Sequence, residues 1–213
     1  MKRSRKPQIP VEFLLQMGTC DVTIHGVKLT AHVANCAAAV DKHIANLRCH
    51  LECTTKVVGL DVKKLKPATG GYTTHALILC VFRRCLIIHL DYVGNHGNAP
   101  ESLDNFLNDP KICFVGITKL PEIFYLVKFS NPDVGVQVGD LAARVLRNPA
   151  LTESSLSDLA LQVGVPYEGP PSPTTEIEVD SRNPKVLTDE HVMAAASDGY
   201  AYYQIGYKLL TSL

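Results

Sequence analysis

The chain is short of charge imbalance: 21 Lys and Arg stand against 21 Asp and Glu in 213 residues. A zero net charge argues against the broad basic field of a strong non-specific nucleic-acid binder, although a local basic patch remains compatible with it. No apolar run approaches the roughly 20 residues a membrane span needs, and the start, MKRSRKPQIP, lacks the apolar core of a secretion signal. No membrane partner is expected, and the reading places the protein in the nucleus, the cytoplasm or both. There is no internal repeat, and neither GxxxxGK[ST] nor GxGxxG occurs, so nucleotide-binding folds of those kinds are not indicated. The seven cysteines, at 20, 36, 49, 53, 80, 85 and 113, contain no CxxC pair and are odd in number. That usage fits reduced thiols better than a disulfide framework or a zinc site.

What is present is 46% hydrophobic residues, enough for one well-filled core. Residues 1–10 carry Lys2, Arg3, Arg5 and Lys6 and end in proline, the composition of a flexible basic arm, and residues 11–213 read as a single domain. Val57 to Lys64, VVGLDVKK, is an unbroken apolar run ending in an acid, which suits a buried central strand over about Lys56 to Val62. Side chains two apart on a strand share a face, so Asp61 and Lys63 point the same way.

Around it, Val11 to Val33 reads as two or three β segments turning at His25-Gly26, and Asn35 can cap a helix running to about Leu47 with Ala37, Val40, Ile44 and Leu47 as its buried stripe. His75 to Phe82 and Cys85 to Leu90 read as paired strands joined at Arg83-Arg84, a tip whose arginines are expected in solvent. Pro100 to Leu107 is a short helix and Ile112 to Ile117 a buried strand. Helices follow at Lys119 to Phe129, Val138 to Leu146 and Leu156 to Val163, the last stopped by Gly164. The proline-rich stretch 166–184 reads as an exposed functional loop or flap. A long helix from Leu187 to Leu210 closes the chain, with Thr188 as its cap and Asp189 and Glu190 in its first turn. Strands first and then strands alternating with helices describe an α/β layered sheet of mixed strand order.

Four segments, VVGLDVKKLKP at 57–67, LCVFRRCLIIHL at 79–90, LDNFLNDPKICFVGI at 103–117 and LTDEHVMAAASDGYAYYQIG at 187–206, taken in that order and spacing, resemble the DEDD superfamily of 3′→5′ exonucleases. Within it they are most similar to the plant exonuclease domains related to the Werner syndrome exonuclease. The resemblance covers about residues 11–210 and implies a ribonuclease H-like fold, a single-stranded nucleic-acid 3′ end as substrate, and Mg²⁺ or Mn²⁺ ions held by carboxylates.

It also implies a site set: Asp61 and Asp198 as metal-binding and catalytic acids, and Glu122 near the place of a further acid. The chain departs from the pattern at three points. Where the family has Asp-x-Glu, this sequence has Asp61-Val62-Lys63, a reversal of sign. Glu122 stands where Gly and then Asp are usual, and it equally suits the first turn of a helix begun by Pro121. Four residues before Asp198 the family tyrosine is Ala194, and the preceding position is Met193; Tyr200, Tyr202 and Tyr203 do not share the face of residue 194. Two functions follow as expectations. One is a domain that holds nucleic acid, through Lys63, Lys64 and Lys66 at phosphates, with metal-dependent hydrolysis lost or much reduced. The other is an active exonuclease using Asp61, Glu122 and Asp198 around a single ion, while association as a homo-oligomer or with an intact relative needs no site.

Overall fold

The computed structural model describes residues 11–53, 55–93, 99–116, 135–169, 176–180 and 186–213. The basic arm, the helix expected over Lys119 to Phe129, and Glu122 within it lie outside the described residues. A sheet of eight strands organises the rest: β1 (Thr19–Ile24), β2 (Val27–Ala34), β3 (Val57–Pro67), β4 (Thr74–Val81), β5 (Arg84–His89), β6 (Cys113–Gly116), β7 (Val136–Gln137) and β8 (Glu176–Val179). Their order is β1-β2-β5-β4-β3-β6-β7, with β8 also on β3. β3, β4 and β5 form an antiparallel meander, and β6 and then β7 add in parallel beyond β3. Counted from β3, the five strands β5-β4-β3-β6-β7 run 3-2-1-4-5 with only the second reversed, which is the ribonuclease H-like arrangement expected.

β3 is central because both of its faces are buried: Val57, Val58 and Leu60 are covered, and so are the charged Asp61 and Lys63. It pairs with β4 from Gly59 to Leu65. On its other edge β6 takes residues 57–60 and β8 takes 64–67, so Asp61 to Lys63 fall in the interval between two parallel partners. One face is covered by α1 (Val11–Met17), α2 (Ala37–Glu52) and α4 (Glu101–Leu107), through Val40, Ile44, Leu47 and Phe106 against Val58 and Leu60. Between β5 and α4 lies the single turn α3 (Leu90–Val93). The other face carries α5 (Val138–Val145), α6 (Leu156–Val163) and the 23-residue α7 (Asp189–Thr211). Thr188 caps α7 as expected, accepting from the His191 N–H while the His191 ring accepts from Thr188 N–H. Gly164 closes α6 at φ +70°.

The differences from the sequence reading are local. Val11 to Met17 is helical, because Leu15 docks on the α2 cluster instead of entering the sheet. Cys36, not Asn35, holds the N-cap position of α2, without a side-chain bond, and the helix continues to Glu52. β3 runs on to Pro67 because its last residues gain β8 as a partner. The 166–184 stretch, read as a flap, contains that strand: in Glu-Ile-Glu-Val the acids face out while Ile177 and Val179 are buried. The β4–β5 connection is Phe82-Arg83, since Val81 pairs with Arg84.

α7 lies unusually close to β3. A Cβ on Gly59 would collide with the Gly199 carbonyl and sit 2.6 Å from the Tyr203 nitrogen, and a Cβ on Gly199 would meet the Ile78 side chain at 2.8 Å. Glycine is required at residue 59 by this backbone-to-backbone approach. Gly59→Ala is therefore expected to lower unfolding free energy by about 3 kcal/mol or more, because the obstacle is main chain and not a movable side chain. Urea unfolding followed by far-ultraviolet circular dichroism measures it.

Candidate functional site

The close approach of α7 brings Asp198, on its third turn, over the face of β3 that carries Asp61 and Lys63. All three are buried, and Lys63 is 0% exposed. The Lys63 Nζ lies 2.6 Å from Asp61 Oδ2 and 2.5 Å from Asp198 Oδ2, so one ammonium bridges two carboxylates. Tyr167 enters from the segment after α6 and donates its hydroxyl to Asp198 Oδ1 at 2.7 Å. Asp198 is thus held on both oxygens. Asp61 is held by the Lys63 ammonium and by the backbone of its neighbour Val62, and lacks a side-chain donor comparable to Tyr167.

That asymmetry sets the electrostatics. Burial pushes the Asp61 carboxyl up to about 6, with Lys63 opposing and Asp198 adding to the rise. As pH rises through about 6 Asp61 gives up its proton, and the buried pocket gains one negative charge. Burial also pushes the Tyr167 phenol well up, helped by its bond to Asp198 and by the charges of Asp198 and Asp61. Tyr202 behaves alike: burial first, then Asp61 and Asp198, raise its phenol. Both tyrosines are proton-holding groups at any physiological pH.

Of the residues named from the sequence, Asp61, Lys63 and Asp198 come together. Glu122 is outside the described residues. Lys64 and Lys66 fall on the alternate face of the pleat, Lys64 half-buried and Lys66 exposed with Glu176 Oε2 at 3.8 Å, so the three lysines do not share one surface. Ala194 packs against the apolar core and Met193 is exposed, so neither supplies a polar group. The phenols near the carboxylates come from elsewhere, Tyr167 from a loop and Tyr202 one helical turn beyond Asp198. Tyr202 was accessible to helical spacing from Asp198; nothing in the sequence marks Tyr167.

Divalent ions do not fit this donor set. Mg²⁺ requires oxygens at 2.0–2.1 Å in octahedral array, and here the two inward carboxylate oxygens already contact an ammonium at 2.5–2.6 Å. A dication about 4 Å from that ammonium is repelled by on the order of 8 kcal/mol at an effective dielectric near 20. Among the described residues no group of three or more His, Cys, Asp or Glu side chains converges as a metal site.

Two substitutions test the triad. Lys63→Met leaves two facing buried carboxylates without a cation and is expected to cost about 3–5 kcal/mol in urea unfolding at pH 7. Asp61→Asn tests the raised acid. A carboxyl whose folded pKa exceeds its unfolded value of 3.8 contributes stability below about pH 4 and loses it as pH rises through about 6. The asparagine variant lacks that loss. Its stability relative to the parent should therefore climb between pH 4 and 7, by at most about 3 kcal/mol at 1.36 kcal/mol per pKa unit, as read from denaturation midpoints across that range.

No protein-family model matches the chain, and no curated protein matches it in sequence. Among solved structures it is similar to the EXD2 exonuclease domain. The form of that domain soaked in Mn and GMP aligns at 21% identity over 85% of this chain and 93% of that one, with a TM-score of 0.43. The form soaked in Mn and Mg aligns at 21% identity over 85% and 89%, with a TM-score of 0.44. The form soaked in Mn and dGMP gives 22%, 85% and 90%, with a TM-score of 0.43.

Proposed function

We propose that this chain is a DEDD-type exonuclease domain, of the plant Werner-exonuclease-like kind its four segments resemble, that holds a nucleic-acid strand without metal-dependent hydrolysis. The observation that carries the reading is Lys63: its buried ammonium lies between Asp61 and Asp198, in the space that two carboxylates would otherwise offer to divalent ions. A fixed internal cation offsets the charge of one of the two acids and, unlike a metal, has no open coordination position with which to activate water. The charge that a metal would supply is thus built into the fold. Contacts to the strand's phosphates are assigned to Lys64 and Lys66 at the end of β3, where Lys66 is exposed and its acidic neighbour is distant enough for only a weak pairing.

Thermal melting with and without millimolar Mg²⁺ or Mn²⁺ tests the first half, because an ion that binds the native state raises the midpoint by mass action. The parent midpoint is expected not to move, whereas Lys63→Glu, which writes a carboxylate back into the pattern, is expected to gain metal-dependent stabilisation. Degradation of single-stranded RNA or DNA from the 3′ end by the parent, abolished by Asp61→Ala, would overturn the reading. Filter binding across a salt series tests the second half: Lys66→Ala should weaken binding uniformly across sequences and reduce the salt slope by about one.

A further inference from the structure

On the opposite face of the sheet from the triad lies a cleft of about 400 Å³ that the reading above does not use. It is formed where the β4–β5 turn meets β2 and the last turn of α2. Arg83 and Arg84 enter it from the turn, Lys28 from β2 and His50 from α2. Among the described residues the only acid on its wall is Asp21, which already pairs with Lys28 at 2.9 Å and accepts from the Thr30 hydroxyl at 3.1 Å. Among the described residues no carboxylate lies within ion-pair distance of either arginine. Among the described residues, three cations against one acid leave the cleft two positive charges in excess.

Arg84 is aimed. Its Nε donates to His50 Nε2 at 2.8 Å, and His50 Nδ1 lies 2.8 Å from the Asn46 carbonyl. A ring nitrogen that accepts from a guanidinium is unprotonated, so His50 is neutral, with Nδ1–H donating to Asn46. This relay anchors the guanidinium to the α2 backbone and leaves its terminal fork for another acceptor. Phe82 supplies a second, independent observation. It sits at φ +54°, a conformation that costs a non-glycine residue on the order of 1–2 kcal/mol, yet its side chain is 49% exposed with the Arg83 guanidinium 5.5 Å above the ring. Glycine or asparagine is the ordinary occupant of such a turn position. A strained aromatic held outward beside two uncompensated arginines has the composition of a surface that takes an anion together with a flat ring.

We propose that this cleft is a binding site for a phosphoryl group, with Arg83 and Arg84 as its donors, His50 as the positioning residue for Arg84, and the Phe82 ring alongside. A phosphate dianion balances the excess of two charges. The site is separate from the Asp61–Lys63–Asp198 triad, and the proposal stands whether or not the triad is hydrolytically silent.

Isothermal titration calorimetry of the full chain with inorganic phosphate and with a nucleoside monophosphate tests it. Saturable one-to-one binding is expected. Arg84→Gln should weaken it at least about tenfold, the scale of one charge-assisted hydrogen bond, and Arg83→Gln should weaken it similarly. Asp21→Asn, which removes the acid from the wall, should tighten it several-fold. Lys111→Gln, a neutralisation outside this cleft, should leave it unchanged. All four positions lie at the surface, and circular dichroism melts confirm that each variant folds. A nucleotide that binds more tightly than phosphate identifies the anion as one carried on a nucleotide and should lose that advantage in Phe82→Ala; equal affinities identify a free phosphoryl anion; both uphold the site. Absence of saturable binding of either probe at millimolar concentration, or affinities indifferent to Arg84→Gln, would overturn it.

Discussion

One ammonium group governs the middle of this molecule. Lys63 brings a full charge to 0% exposure, and such a charge is tolerated only where it is paired. Its two partners arrive from different levels of the fold: Asp61 from two residues earlier on the same strand, Asp198 from a helix 135 positions later. The ammonium therefore ties the strand to the helix and fixes how the helix is turned about its axis. The asymmetry between the acids follows from the same geometry. Asp198 has a second side-chain donor in Tyr167, whereas Asp61, fully buried, takes on the raised affinity for a proton.

The surroundings match that constraint. Two short acidic side chains meet one long basic one, which requires the helix backbone to stand close to the strand; glycine at 59 and 199 permits it. Small residues at Ala195, Ala196 and Ala201 are buried along the same helix. On the far face there is no such demand, and larger side chains such as Phe106, Leu47 and Ile44 fill an ordinary apolar layer. The sheet thus separates a tight polar centre on one side from a plain core on the other, with the arginine cleft at the rim of the second.

Much of this frame was legible from residues alone. An apolar run ending in Asp-Val-Lys dictated a central strand and put Asp61 and Lys63 on one face by simple alternation. Thr188 followed by two acids marked the start of the last helix, and Gly164 the end of α6. Asp198 emerged only through the four-segment resemblance, because a lone acid within a helix has no periodic signature. That Lys63 would touch both acids could not be read, since it depends on the helix-to-strand distance. Tyr167 lay hidden in a stretch whose prolines obscured both it and the short strand that follows. The two arginines at the β4–β5 turn looked like a solvated tip because Lys28 and His50, which complete their cleft, come from elements more than thirty residues away in sequence.

The contact between α7 and β3 has a consequence for how the protein breathes. Gly59, Gly199 and Tyr203 meet main chain to main chain, so neither element can shift without the other and no side chain is available to cushion a partial separation. Local opening elsewhere, at the β1–β2 edge or around the single turn of α3, needs no disturbance of this seam. The amides of Val57 to Asp61 and of Gly199 to Tyr203 accordingly belong to the last unit to exchange hydrogen with solvent, opening only when the whole domain unfolds.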